Sequence, residues 1–290
     1  MREGEPTTCY LDGELLALEA ARISPLDRGF LFGDGVYELV PCYDGVPFRL
    51  EAHLRRLRHS LAATRIPEPL DAEGWAQVLD RVCRANGGGD QALYIQVTRG
   101  CPPCRTHEFP ARSEPTTFVM SSPLPPAGRY ADGVTAVTRE DPRWSRCDIK
   151  ATALLPNVLL RQEAVDEGAH EAILHRDGRI TEGAASTVFL VRSGELATPE
   201  LHSGLLPGVT REVVLELAAA HGLPYRTRPI PLAELRSADE VWLSSSTKEV
   251  IPVTELDGEP VGRGTPGPAY EAMRGWFAQL RRQSARGRQP

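Results

Sequence analysis

Ser121-Ser-Pro-Leu-Pro-Pro-Ala-Gly128 decides how the 290-residue chain divides. Its prolines donate no backbone hydrogen bond and its closing glycine favours a turn, so neither a helix interior nor a central strand fits. The stretch reads as an interdomain linker over 121–131. A small domain precedes it at 1–120, a larger one follows at 132–280, and a basic tail closes the chain at 281–290. This length can bury two cores of ordinary size.

Outward from the linker, the local patterns are those of an α+β protein. Asp12-Gly13, Asp44-Gly45 and Asp177-Gly178 each separate apolar stretches, as two-residue hairpin turns do. Leu50, Leu54, Leu57 and Leu61 repeat on one helix face, which turns Arg55, Arg56 and Arg58 towards other surroundings. A second helix carries Trp75, Val78, Leu79 and Val82 and stops at Asn86-Gly-Gly-Gly89. A strand over 92–98 leads into a loop holding Arg105 and His107. Beyond the linker, 134–138, 188–191 and 241–243 read as strands. Helices are expected over 156–167, with Pro156 in the first turn, and from Val209 to about His221. Strands outnumber helices in both halves and no βαβ rhythm appears, which disfavours a doubly wound parallel sheet.

The composition narrows the function. A net charge of −6 disfavours a general nucleic-acid binder, whose phosphate contacts need a basic face. The dense basic run Arg281, Arg282, Arg286, Arg288 reads as a frayed, solvated end. No apolar run approaches membrane-spanning length, and Met1-Arg-Glu-Gly-Glu5 lacks the core of a secretory signal. Six cysteines do not make a disulfide scaffold, so cytoplasmic thiols are expected. Cys101-Pro-Pro-Cys104 lacks the second ligand pair that a zinc site wants, and reads as a proline-stiffened loop with no metal.

Of 33 basic side chains only two are lysines, Lys150 and Lys248. Where a bare charge would do, this chain writes arginine. A position that keeps lysine therefore draws notice as a primary amine able to lose its proton. Lys248 precedes Glu249 and reads as an ordinary solvated charge pair. Lys150, in Arg146-Cys-Asp-Ile-Lys-Ala-Thr152, is the better candidate nucleophile. Glu182 sits among small residues at the end of a hairpin, where a carboxylate could hold a ring nitrogen protonated; alone it would be a turn carboxylate in water. Gly204-Leu-Leu-Pro-Gly-Val-Thr-Arg211 opens into a helix whose free N–H groups suit a phosphate, although Thr210 could instead cap it. Ser246 and Thr247 add hydroxyl donors, and Arg56 a cationic fork. An amine, an acid and a phosphate cup are together what pyridoxal phosphate needs.

Several segments carry a resemblance. Asp27-Arg-Gly-Phe-Leu-Phe-Gly-Asp-Gly-Val-Tyr-Glu38, His53-Leu-Arg-Arg-Leu57, Lys150 after Cys-Asp-Ile, Thr181-Glu-Gly183 and Leu206-Pro-Gly-Val-Thr-Arg211 resemble the class IV, fold-type IV pyridoxal-phosphate aminotransferases. The resemblance implies a two-domain α+β fold, with a small α/β N-terminal domain, a larger β-barrel-like C-terminal domain and the cofactor in the cleft. It implies pyridoxal 5′-phosphate as cofactor, small amino acids and 2-oxo acids as substrates, and a homodimer whose neighbouring subunit helps to close the site. By position, Lys150 would be the Schiff-base lysine and Glu182 the partner of the pyridine nitrogen. Arg56, Leu206, Gly208, Val209, Thr210, Ser246 and Thr247 would surround the phosphate end, with Ser186 and Thr187 beside the ring.

The loop after Thr98 sets the subfamily. Arg105-Thr-His107 is similar to the Arg-x-His element with which D-amino-acid aminotransferases grip the substrate α-carboxylate, and Tyr37 would add its hydroxyl. Two departures stand out: the loop is one residue longer than the usual D-specific version, and Thr187 stands where an Asn often follows the Ser. The expectation is transamination between a D-amino acid such as D-alanine and a 2-oxo acid such as 2-oxoglutarate. Alternatives on the same scaffold are a branched-chain L-aminotransferase, an (R)-amine transaminase and an aminodeoxychorismate lyase. Outside enzymology, the alternative is a redox or metal-binding protein built on the Cys pair.

Overall fold

The computed structural model describes residues 7–112 and 114–286 and divides the chain into two compact units. The first runs to Leu124 and takes in Ile149–Ala153 and Arg281. It begins with β1 (Thr8–Leu11) and β2 (Glu14–Ala17), followed by a short helix, α1 (Arg28–Phe32). Then come β3 (Gly35–Tyr43), β4 (Val46–Pro47), α2 (Leu50–Thr64), α3 (Ala72–Ala85), β5 (Gln91–Thr98) and β6 (Thr117–Pro123). The strands form one sheet in the order β2-β1-β6-β5-β3-β4, antiparallel throughout.

The apolar periods of α2 and α3 dictate where those helices lie. Leu54, Leu57 and Leu61 from α2 and Trp75, Val78, Leu79 and Val82 from α3 pack with Val40, Leu93, Ile95 and Val119 of the sheet in one core. The hairpins turn where both central residues must take positive φ, the condition of a type I′ turn. Asp12 and Gly13 sit at φ 47° and 103°, Asp44 and Gly45 at 50° and 74°. Two further turns of this kind, Ser193-Gly194 and Asp257-Gly258, were equally open to sequence reading and lie in the second unit.

The second unit covers Pro125–Asp148 and Leu154–Leu280. It contains β7 (Val134–Glu140), α4 (Leu155–Asp166), β8 (Glu171–Arg176), β9 (Arg179–Gly183), β10 (Thr187–Arg192) and β11 (Glu195–Thr198). There follow α5 (Val209–Ala220), β12 (Tyr225–Thr227), α6 (Leu232–Arg236), β13 (Glu240–Ser245), β14 (Glu249–Leu256), β15 (Glu259–Pro260) and α7 (Pro268–Arg286), of which the part to Leu280 belongs to this unit. Its curled sheet runs β12-β11-β10-β13-β14-β7-β8-β9, with β15 on β14. Parallel pairs β14–β7, β7–β8 and β11–β12 are mixed with antiparallel ones, in keeping with an α+β fold. Ile173, Val188, Leu190, Leu243, Ile251 and Val253 are among the residues of its core.

Four expectations need correction. Ser121–Pro123 belong to β6, where they pair with Leu93, Ala92 and Gln91, so the proline-rich stretch is partly strand. Ile149–Ala153 pack with the first unit although the chain on either side belongs to the second, so no single cut separates the units. Arg56 does not turn away from the α2 core; it is 8% exposed because a buried carboxylate receives it. Arg281 and Arg282 lie within α7 rather than in a frayed tail, and the Arg281 guanidinium rests 5.2 Å from the Tyr43 ring centroid. Arg288 lies outside the described residues.

Candidate active site

In the first unit, Lys150 is fixed by its backbone. Its N–H donates to Ser60 Oγ of α2 (3.1 Å), and its carbonyl accepts from the Tyr37 N–H of β3 (2.9 Å). Ala151 forms an antiparallel bridge with Val36, and the Thr152 N–H donates to the Gly35 carbonyl (3.0 Å). Residues 149–153 thus run beside the start of β3. The side chain of Lys150 is half-buried, with Nζ 4.1 Å from the Tyr37 ring centroid, within cation–π range.

Arg56 donates from Nε and Nη2 to Glu38 Oε1 (2.7 Å) and Oε2 (2.9 Å), and His53 Nδ1 lies 2.9 Å from Oε2. Burial alone would raise the Glu38 carboxyl, but Arg56 and His53 outweigh it and hold it well below the usual range. Burial lowers His53, against the pull of Glu38. The neutral imidazole therefore carries its proton on Nδ1, since an ionised carboxylate can only accept. Glu38 and His53 lie inside motifs the sequence displays, yet only their meeting in space gives them a role.

Arg105 and His107 lie exposed on the loop after β5. The Phe32 ring stands 4.7 Å from the Arg105 guanidinium carbon and 5.3 Å from the His107 ring, centroid to centroid. Tyr37 lies on β3, half-buried, with its ring 5.7 Å from that of Tyr94.

In the second unit, Glu182 of β9 is buried. Its Oε1 accepts from Arg143 Nη1 (2.5 Å) and its Oε2 from the Leu206 N–H (3.0 Å). Burial pushes the Glu182 carboxyl up, against the pull of Arg143 and that N–H. Arg143 also grips Asp141 through Nε (2.9 Å) and Nη2 (2.8 Å), and the Thr181 hydroxyl donates to the same carboxylate (2.8 Å). Besides each other, Arg143 and Asp141 meet Glu182 and Thr181 of β9, about 40 residues on, a meeting that no local pattern announces. The spacing Asp141-Pro-Arg143, which suits a local bidentate pair, was the only signal.

Gly208 is the N-cap of α5 and, being glycine, brings no capping side chain. Thr210 is buried in the first turn and not at the N-cap position, and the first N–H groups of a helix have no partner within the helix. A Cβ on Gly208 would meet Thr187 Oγ1 at 2.8 Å, which places the start of β10 against the helix end and calls for glycine. Thr187 also pairs with Ser244, the fifth residue of β13, and the strand runs on into the turn that carries Ser246 and Thr247. Ser186 Oγ donates to Glu171 Oε2 (3.0 Å). Leu206, Gly208, Thr187, Ser186 and Glu182 are therefore neighbours within the second unit.

Lys248 departs from its expected place in solvent. It is half-buried, and Nζ lies 3.1 Å from His170 Nε2, 78 residues away in sequence. Burial lowers its pKa, with Glu171 opposing. Glu171, Ser186, Ser244, Ser245 and Lys248 line one small cavity. Cys101 and Cys104 are exposed free thiols. Among the described residues, no group of three or more His, Cys, Asp or Glu could hold a metal ion.

Each unit by itself offers groups whose chemistry suits pyridoxal phosphate: the second a helix start beside hydroxyls and a buried carboxylate, the first a lysine fixed at its backbone. Comparison with known proteins points the same way. The profile of the class IV amino-transferases matches residues 35–256. A D-alanine aminotransferase of Bacillus licheniformis is 40% identical over 258 residues, which cover 89% of this chain and 91% of the relative. One of Listeria monocytogenes is 36% identical over 93% of this chain and 94% of its own. Among solved structures, the Escherichia coli branched-chain amino acid aminotransferase superposes with a TM-score of 0.90 at 27% identity, covering 98% of this chain and 97% of that one. A T.th. branched-chain amino acid aminotransferase with pyridoxamine 5′-phosphate gives 0.86 at 26%, covering 98% and 96%.

Proposed function

The chain belongs to the class IV aminotransferases, and on that premise we propose that it transfers the amino group of a D-amino acid such as D-alanine to a 2-oxo acid such as 2-oxoglutarate. The observation that carries the chemistry is the pair of backbone hydrogen bonds that hold Lys150 between α2 and β3 while its side chain stays half-buried. The greater identity to D-alanine aminotransferases than to the branched-chain enzymes favours the D-reading.

Pyridoxal 5′-phosphate would supply an aldehyde for the amine and an electron-accepting ring. Lys150 would hold it through Nζ and, once displaced by the substrate amine, use Nζ to take up and return the α-proton. The carboxylate of Glu182 would face the ring nitrogen and keep it protonated, with Arg143 fixing its orientation. The N–H groups of Val209 and Thr210, the hydroxyls of Thr210, Ser246 and Thr247, and Arg56 would bind the phosphate, with Leu206 and Gly208 beside them and Ser186 and Thr187 by the ring. Arg105 and His107 would grip the substrate α-carboxylate, joined by the Tyr37 hydroxyl.

We also propose a homodimer. Leu155, Val158, Leu159 and Val165 leave an apolar stripe exposed along α4, with Trp144 exposed in the same unit. Free cysteines support a cytoplasmic location. Among the described residues no helix is long and apolar enough to cross a membrane. The deciding experiment offers D-alanine, L-leucine and a chiral amine in turn with 2-oxoglutarate. Turnover of D-alanine is expected, and preference for L-leucine would overturn the assignment.

A further inference from the structure

Exposed arginine and histidine side chains on an irregular loop ordinarily lose rotamer freedom when they close on a ligand. Arg105 and His107 are not left to themselves in this way. Both contact the partly exposed ring of Phe32, at 4.7 Å for the guanidinium and 5.3 Å for the imidazole. That ring is itself held. The α1 helix is capped by Asp27, which accepts from the Gly29 N–H (2.8 Å), the Thr98 hydroxyl (3.0 Å) and the Thr116 hydroxyl (2.7 Å). Gly33, at φ 65°, ends α1 directly after Phe32. Arg28 lies 4.8 Å from the centroid of the same ring.

The loop backbone is fastened from the same side. Arg28 donates from Nη1 to the carbonyls of Thr106 (2.6 Å) and Glu108 (3.3 Å), and from Nη2 to that of His107 (3.3 Å). Its Nε donates to Asp34 (2.7 Å), which also receives Arg99 at 2.8 and 2.9 Å. Arg99 in turn lies 3.6 Å over the ring of Phe109. Backbone and side chains of 105–109 thus depend on two supports, the Arg28–Asp34–Arg99 network below and the Phe32 ring beside.

We propose that Phe32 is a positioning residue for substrate recognition, its ring holding Arg105 and His107 in a prearranged carboxylate-binding pair. This rests on the assignment of that pair to the substrate α-carboxylate. A residue acting this way lowers the cost of binding without touching the substrate, so its loss raises KM and leaves kcat nearly intact.

The test compares the holoenzyme with Phe32→Ala, Phe32→Leu, Phe32→Tyr and Arg105→Ala variants. Phe32→Leu keeps most of the packing volume but no aromatic face, and safeguards against a folding defect in Phe32→Ala. Both are expected to raise KM for D-alanine about tenfold with kcat within about twofold, while Phe32→Tyr stays near the parent. Independently of turnover, trypsin cleavage at Arg105–Thr106, followed by mass spectrometry, is expected to accelerate in the first two and not in the third. An Arg105→Ala variant with raised KM beside a Phe32→Leu variant with unchanged KM and cleavage would overturn the role of Phe32 alone. Unchanged KM in Arg105→Ala would remove the carboxylate assignment and the inference with it.

Discussion

Glu38 and Arg56 form a bidentate ion pair inside the first unit, with the carboxylate fully buried and the guanidinium nearly so. Desolvation of two charges is repaid only while the geometry and the third contact, from His53, are intact. The Glu38→Gln variant leaves Arg56 buried opposite a neutral amide, and is expected to lose ~3 kcal/mol of stability in denaturant unfolding. Because the folded carboxyl titrates well below 4.5, the parent's gain from this pair is complete above that pH and shrinks as pH falls below it. A Glu38→Gln protein as stable as the parent at pH 7 would contradict this account.

His170 supplies the opposite kind of pH dependence. Burial, with the cations Lys248, Arg161 and Arg129 adding to it, lowers its pKa to about 4. The neutral ring accepts from Lys248 at Nε2, because an ammonium has only donors. Between about pH 6.5 and 4 the unfolded chain binds a proton here that the native protein does not, so native stability falls as pH drops through that window. Replacement by Gln removes the titration. The fall in Tm between these two pH values should be shallower in His170→Gln than in the parent, and equal slopes would refute the assignment.

Thiol chemistry gives a third check. Cys101 and Cys104 are exposed, whereas Cys9, Cys42, Cys83 and Cys147 are buried. Burial pushes Cys147 up to about 11, so its thiolate is scarce at pH 8. An aromatic disulfide reagent should therefore titrate two thiols rapidly in the native protein and the rest only on denaturation. Peptide mapping that found the fast label on Cys147 would count against the described burial.

What the sequence made legible was local, and what it hid was not. The leucine period of α2 and the Asp-Gly turns act over a few residues, and both appear where expected. The same leucine period pointed Arg56 outwards, since nothing near it announces Glu38, 18 residues earlier on another element. Lys150 stood out by scarcity, an argument from chemistry rather than from position. Scarcity could not show that Ser60, 90 residues away, holds its backbone. Lys248 shows the converse error: the adjacent Glu249 suggested a solvated pair, while His170 and Glu171 from the neighbourhood of β8 surround it instead. Prolines break helices and central strands, yet Pro123 sits at the last paired position of β6, where the ladder ends.

The two lysines therefore provide the last prediction. Both are half-buried, so exposure does not distinguish them. Their surroundings do. Lys248 Nζ is engaged by His170 and lies near Glu171, an arrangement that keeps an ammonium in place. Lys150 is anchored through backbone atoms, which leaves Nζ against the Tyr37 ring and able to swing. Borohydride reduction of the holoenzyme, followed by digestion and mass spectrometry, should find the cofactor's mass on Lys150 alone. Lys150→Ala should lose the visible absorbance and at least about a thousandfold in kcat, the scale at which a nucleophile and proton carrier are removed together. Lys248→Met should keep the label on Lys150 and lose stability instead, because the buried Glu171 would lose the larger of the two cationic influences on it, leaving Arg161. Cofactor found on Lys248, or ordinary turnover in Lys150→Ala, would reverse the assignment.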